Sequence, residues 1–166
     1  MPYKLDTTTQ VFFYEQEFYC LSNFSAFRLY WRSLDFDTSE HAYHWEKFRH
    51  VEQVDPTHIV CKRCEVQYQI QRMRSAHAAF KYAEDQRELV APRWGEIRVA
   101  VMRCILSTKA YQHEYVRRKL LETGNRELIE DSWRDGFWGW GEEGTGQNML
   151  GKLWMEIRAE LKKEGK

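Results

Sequence analysis

An acid and an amine stand seven residues apart in the segment TSEHAYHWEKF, residues 38–48, as Glu40 and Lys47. On a helix seven residues make about two turns, so the two share a face with Cα atoms about 10 Å apart. Helical side chains lean toward the N-terminus, so Lys47 can reach back toward Glu40 with room for a ligand atom between them. Tyr43, Trp45 and Phe48 surround the pair with aromatic rings. A carboxyl group and an amine in such surroundings suit acid–base or covalent work at a sugar carbon. The plainer account has Glu40 closing a capping box and Lys47 solvated at the surface.

A second constellation is SWRDGFWGWGEEGTGQNMLG, residues 132–151, where aromatic residues alternate with glycines. Glycines let a backbone come close to a ligand. Trp138 and Trp140 can stack on an unpaired base. Asp135 can accept from ribose hydroxyls or a base N–H, and Asn148 offers both a donor and an acceptor just before a helix. The plainer account is a structured loop with Asn148 as a helix cap and the tryptophans in the core. A third segment, RWGEIRVAVM at 93–102, sets Trp94 and Arg98 four apart on one side of a helix. They suit a planar base and a phosphate, or a core tryptophan beside a surface arginine.

These residues must be held by a chain of 166 residues, which suits one domain spanning 1–166. Lys plus Arg equals Asp plus Glu at 25 each, so no basic excess supports duplex binding through phosphates or attachment to a charged membrane. No apolar run is long enough for a transmembrane helix, and MPYKLDTTTQ lacks a signal peptide's apolar core, so a cytoplasmic protein with no membrane partner is expected. The four cysteines, at 20, 61, 64 and 104, are then expected as thiols. Cys61 and Cys64 form a CxxC pair preceded by His58, but no second close pair completes a zinc site, so no metal is expected.

The elements read as a few short strands followed by helices. Phe27, Leu29 and Trp31 alternate with polar neighbours as a half-buried strand. A helix is expected from Asp37-Thr38-Ser39, capped by Asp37 with Glu40 at N3. Another starts at Asp55-Pro56-Thr57 and runs toward the eighties, with Val60, Cys64, Tyr68 and Met73 as its apolar stripe. Pro92 marks a break or a helix start. Val99, Met102 and Leu106 line a third helix, Leu120 and Leu121 end a fourth before Gly124, and Leu128–Ile129 suits a short strand. Leu150, Leu153, Trp154, Ile157 and Leu161 give the last helix its inner face. The fold class expected is α+β, predominantly helical with a small β portion.

In this order the segments resemble the NADAR, or YbiA-like, family. The matching pieces are LSNF (21–24), TSEHAYHWEKF (38–48), Trp94, Arg98 and Met102, and LLETGNRELIEDSWRDGFWGWGEEGTGQNMLGKLWMEIRAEL (120–161). The resemblance covers nearly everything from Phe12 onward. It implies hydrolysis of N-glycosidic bonds to ribose, in phosphoribosylamino-pyrimidine intermediates of riboflavin synthesis or in ADP-ribose attached to guanine. It implies pocket positions for Glu40, Lys47, Trp94, Asp135, Trp138 and Asn148. Gly139 is added beside Trp138, and Asn23 and Phe24 as lining of the same cleft. The chain departs from the family's Gly-Arg pair, reading AHAAFKYAEDQREL at 76–89 with Lys81 as a stand-in for the arginine. His44 and Trp45 replace small or amide residues.

The expected protein is therefore an N-glycosidase with Lys47, Glu40 and Asp135 as its catalytic residues and no cofactor. Either a carboxylate activates water, or Lys47 forms a Schiff base with the opened sugar. Its partner is a ribosylated nucleobase or nucleotide, with ADP-ribosylated nucleic acid as a further substrate form. The competing expectation is a binding module for ADP-ribose or a nucleotide without turnover.

Overall fold

The structure is a computed structural model that describes residues 6–49 and 58–165, with no side-chain description for 58–61. The Asp55-Pro56-Thr57 helix start and the side chains of His58, Val60 and Cys61 thus lie outside the described residues. The elements run β1 (Gln10–Phe12), a 3-10 turn (Tyr19–Leu21), β2 (Leu29–Trp31), β3 (Leu34–Phe36), α1 (Ser39–Glu46), α2 (His58–Arg72), α3 (Ala76–Asp85), a 3-10 turn (Arg87–Leu89), α4 (Trp94–Gln112), α5 (Glu114–Glu122), β4 (Glu127–Ile129) and α6 (Met149–Lys163). Helices dominate and the strands are short, as an α+β chain requires. Two compact units are distinguished, one comprising the chain up to Ser25 together with Lys109 onward, the other Ala26–Thr108.

In the first unit β1 and β4 pair in parallel, with Val11 opposite Leu128 and Phe12 opposite Ile129. The predicted Leu128–Ile129 strand forms, one residue longer at its start. α6 packs on β4 and α5 on α6. The reason is periodicity: Leu150, Leu153, Trp154, Ile157 and Leu161 are all buried, each gaining about 1.5–3 kcal/mol over exposure. Gly124 ends the helical hairpin region in the left-handed conformation, φ 65°, which glycine adopts without strain.

In the second unit β2 and β3 form an antiparallel hairpin. Its two loop residues, Arg32 and Ser33, both have positive φ, 53° and 63°, as a two-residue turn needs to match strand twist. The predicted strand is shorter than expected, beginning at Leu29 rather than Phe27. α1 contacts both strands and both α2 and α3. Phe48, Val66, Ile70, Ala79 and Ala83 form the core beneath it, with Trp45, Met73 and Tyr82 packed alongside.

Two local expectations are corrected. The cap of α1 is Thr38, not Asp37: Thr38 is extended, φ −147°, and its side chain accepts from the His41 N–H. Asp37 instead reaches Arg28, Nη2 to Oδ1 3.4 Å. The expected helix into the eighties is two helices, because the chain leaves α2 at Met73 and Ser75 caps α3 by accepting from the Ala78 N–H at 3.1 Å. The Met73 carbonyl is taken by His41 Nε2 at 3.1 Å, which satisfies a group that a longer helix would have used.

Candidate active site

The second unit builds its polar constellation on α1. Glu40 lies in the first turn, where a carboxylate is favoured by the helix dipole. It is 7% exposed. Its Oε1 is 2.7 Å from Nε2 of His44, one turn on and equally buried. Lys47 follows the last turn, in helical conformation. Its Nζ donates to Glu84 Oε1 of α3 at 3.0 Å and stands 5.6 Å over the Tyr43 ring. The expected facing pair is therefore two pairs, Glu40 with His44 and Lys47 with Glu84.

Tyr43 also meets Trp94, ring centroids 5.0 Å apart. Trp94 opens α4 and is tied back to α1 through the backbone. The Lys47 carbonyl accepts from Ala91 N at 2.8 Å, and the Ala91 carbonyl accepts from Trp94 N at 3.0 Å. Trp94 is buried, as the core reading of that residue has it, while Arg98 one turn later is half-buried. Lys81, the arginine stand-in, is exposed on α3. Another carboxylate of α1 is bound differently. Glu46 Oε1 accepts from Trp31 Nε1 at 2.7 Å and Arg32 Nε at 2.9 Å, and its Oε2 from Arg49 Nε at 2.7 Å.

The first unit holds the glycine-rich loop. Asp135 Oδ1 accepts from the N–H groups of Phe137 and Trp138, both at 2.8 Å. This is the side-chain turn that aspartate makes with residues just beyond it. Trp138 is half-buried and stands edge-on to Phe137, centroids 4.9 Å apart. Gly139 is buried, and a Cβ there would sit 2.8 Å from Ser132 Cβ and 3.0 Å from two backbone oxygens. Only glycine fits such a crossing.

Asn148 occupies the cap position of α6 in the left-handed conformation, φ 49° and ψ 43°, with no side-chain capping bond. Its amide goes to β4 instead. Oδ1 accepts from Glu130 N at 3.0 Å and Nδ2 donates to the Leu128 carbonyl at 2.9 Å. One side chain thus completes the backbone pairing along one side of β4. Gly151 comes so close to the same strand that a Cβ would collide with the Leu128 carbonyl and the Asn148 amide.

Asn23 and Phe24 sit at the tip of a turn in this unit, Asn23 buried and Phe24 37% exposed. The turn is held by a lysine that sequence reading passed over. Lys109 Nζ donates to the Ser22 carbonyl at 2.8 Å and to Ser25 Oγ at 2.7 Å. Lys109 is fully buried. Loss of solvent pulls its pKa down to about 7, against the opposing influence of Cys20 and Glu130. Burial likewise raises the pKa of Asp131, at the entrance to the glycine loop. Nothing in STKAYQ announces a buried amine. The Glu40–His44 contact was legible as an i, i+4 spacing. Glu84 was not, since its contact with Lys47 crosses between helices.

Among the described residues, no group of three or more His, Cys, Asp or Glu is arranged to hold a metal ion, and no helix is long and apolar enough to cross a membrane. Cys20, Cys64 and Cys104 are free thiols.

Known proteins share this fold and much of this sequence order. The N-glycosidase YbiA of Escherichia coli is 30% identical over 156 residues, 94% of this chain and 89% of the relative. A riboflavin biosynthesis protein of Vibrio vulnificus is 33% identical over 153 residues, 91% of this chain, but this chain spans only 38% of that longer relative. An N-glycosidase of Nostoc punctiforme is 28% identical over 154 residues, 92% of each. The NMR structure of Escherichia coli YbiA superposes with a TM-score of 0.79 over 95% of this chain and 87% of that one, at 30% identity. The family model described as NADAR domain matches residues 12–162, and the chain belongs to that family.

Proposed function

We propose that the protein hydrolyses the N-glycosidic bond between ribose and a base, with Lys47 as nucleophile and Glu40 as the proton-transfer group. The observation that carries this reading is the second unit's α1 face. A buried carboxylate held at one oxygen shares a helix with an amine lying against Tyr43, itself in contact with Trp94. The names borne by the relatives supply the reaction class.

A ribosyl C–N bond breaks with positive charge growing at the anomeric carbon. A neutral Lys47 attacks that carbon in the opened sugar, the base departs with the C–N electron pair and a proton, and water then frees the sugar from the Schiff base. In the unliganded protein Glu84 engages the Lys47 amine. Its side chain is about half exposed, and a pair of this kind is worth at most about 1 kcal/mol. A bound substrate can therefore displace it, with Glu84 as the first acceptor of the lysine's proton. Trp94 and Arg98 are assigned to the base and a phosphate. Trp138 and Gly139 remain candidate ligand contacts of the first unit. Asp135 and Asn148 are given the task of shaping that loop, since their polar atoms serve its backbone.

The substrates to test are a phosphoribosylamino-pyrimidine of riboflavin synthesis and ADP-ribosylated guanosine. The riboflavin names of relatives favour the first. Wild type releases free base from one of them, and Lys47→Ala falls to background while still binding. Full activity in Lys47→Ala removes the covalent route and leaves direct attack of water assisted by Glu40. A second reading, a non-catalytic ADP-ribose or nucleotide reader, draws on the Lys47–Glu84 ion pair, which already occupies the amine. Base release separates the two: an enzyme frees the base, with a borohydride-trapped adduct on Lys47 when the route is covalent, and a reader gives neither.

A further inference from the structure

Glu40 has one protein partner among the described residues, the His44 imidazole. The other ring nitrogen, Nδ1, is buried without a hydrogen-bond partner. The imidazole packs against the Tyr43 and Phe80 rings, centroids 5.4 and 5.6 Å away, each steeply inclined to it. An ionised carboxylate can only accept, so Nε2 must carry the hydrogen that joins them. The opposite tautomer would strand a buried N–H donor without an acceptor, at a cost of about 1–3 kcal/mol. The surroundings of Nδ1 thus select the tautomer that holds Glu40. With Oε1 taken, Oε2 is the oxygen left to meet a substrate or water.

We propose that His44 is a positioning residue that fixes the Glu40 carboxylate through an Nε2–H donor, so that Oε2 serves as the base in release of the sugar from Lys47. This rests on the N-glycosidase reading. During release, Oε2 takes one proton from water as its oxygen bonds to the sugar carbon. The C=N electron pair returns to the Lys47 nitrogen. Glu40 then gives that proton to the same nitrogen as the C–N bond breaks, and the new hydroxyl's proton leaves to solvent as the aldehyde forms. The balance is one water consumed and no redox change. A base must be held at a fixed distance and angle for such transfers. A carboxylate at the end of a side chain with several rotatable bonds gains that from one strong hydrogen bond.

Other charged groups near the pair are Lys47 on the same helix, bonded to Glu84 of α3, and His41 one turn before His44. His77 of α3 lies beside Phe80, ring centroids 6.3 Å apart. None of these reaches Glu40 by a hydrogen bond, so the grip on the carboxylate is His44's own.

The test uses the full chain and the ribosyl substrate that wild type turns over. His44→Phe keeps a ring among the rings and removes the donor. It should lower kcat by about tenfold or more while KM stays within about twofold. His44→Gln restores an N–H donor and should recover kcat to within about fivefold of wild type. A merely structural role would not show this rescue. Wild-type kcat in His44→Phe overturns the proposal, as does His44→Gln falling as far as His44→Phe. If both variants fail to fold, nitrogen-15 imidazole shifts of the wild type decide. In the folded protein the hydrogen must be on Nε2; finding it on Nδ1 with Nε2 bare overturns the proposal. Wild type that releases no base overturns the functional reading and this role together, whereas an active enzyme with an active His44→Phe overturns this role alone.

Discussion

At the scale of the residue, what a buried carboxylate can do depends on how many donors hold it, and α1 carries both extremes. Glu46 is almost fully enclosed and takes three donors, two of them from guanidinium groups. Its Oε1 joins α1 to the β2–β3 hairpin, and its Oε2 holds Arg49 just beyond the helix. Glu40 has one donor. The same amino acid six residues apart on one helix is thus set for structure in one place and for chemistry in the other. Replacing each by glutamine should separate the two. Glu46→Gln should cost about 1–3 kcal/mol of stability, toward the low side for a broken buried pair because both arginines reach solvent. Urea unfolding would measure it, and base release should be nearly unchanged. Glu40→Gln should do the reverse, lowering turnover about a hundredfold or more with little change in unfolding midpoint. Equal loss of stability in both would contradict the division. The sequence made Glu40 visible because a capping-type position beside aromatics invites attention. It hid Glu46, two of whose three donors come from a hairpin that no sequence signal announced.

Elements were legible where hydrophobic spacing is regular. α6 follows its five apolar positions from Met149 onward, and β4 follows Leu128–Ile129. They were illegible where a polar side chain decides. The β2–β3 turn uses Arg32 and Ser33 at positive φ, where Asn-Gly would have been the recognisable signal. The break after α2 depends on Ser75 as a cap and on His41 reaching across from α1. That histidine also bonds Thr38 Oγ1 through Nδ1 at 2.8 Å, so it joins the start of α1 to the end of α2. Donation to a carbonyl requires hydrogen on Nε2, and Nδ1 then accepts the Thr38 hydroxyl. Burial, as the largest influence, lowers the His41 pKa below its usual value. In the unfolded chain the ring takes a proton below about pH 6.5, and in the folded chain it resists doing so. The stability this gives is present above about pH 6.5 and is lost as pH falls further toward the lowered folded value. His41→Gln keeps an amide for the same contacts and cannot titrate. The difference in unfolding free energy between wild type and His41→Gln should be flat above about pH 7 and should move against wild type below about pH 6. A difference independent of pH would show that His41 takes up its proton equally in the folded and unfolded chain.

For the whole molecule the sequence offers a neutral charge balance, which hides one costly amine. Lys109 is fully enclosed, and its bonds to Ser22 and Ser25 join residues more than eighty positions apart. Trp154 Nε1 adds a bond to the neighbouring Leu21 carbonyl at 2.8 Å, so the turn carrying Asn23 and Phe24 is held from two helices. Composition counts Lys109 among 25 basic residues that offset 25 acidic ones, yet near neutral pH it is only partly charged. Its folded pKa is drawn from 10.5 to about 7 by burial. The sign follows from proton binding. Between about pH 7 and pH 10.5 the unfolded chain holds a proton at this site more often than the folded one, so stability rises with pH across that window. Below about pH 7 both forms hold the proton and the penalty is constant. Lys109→Met fills similar space without charge. Relative to it, wild type should gain on the order of a few kcal/mol between pH 7 and pH 10 in unfolding experiments. Below pH 7, Lys109→Met should be the more stable of the two unless the lost bonds to Ser22 and Ser25 outweigh the relieved charge. The slope between pH 7 and pH 10 is independent of that balance, because a methionine contributes the same at every pH. A wild-type stability that does not climb relative to Lys109→Met across that window would mean that the amine stays protonated in the fold, its hydrogen bonds having outweighed the loss of solvent.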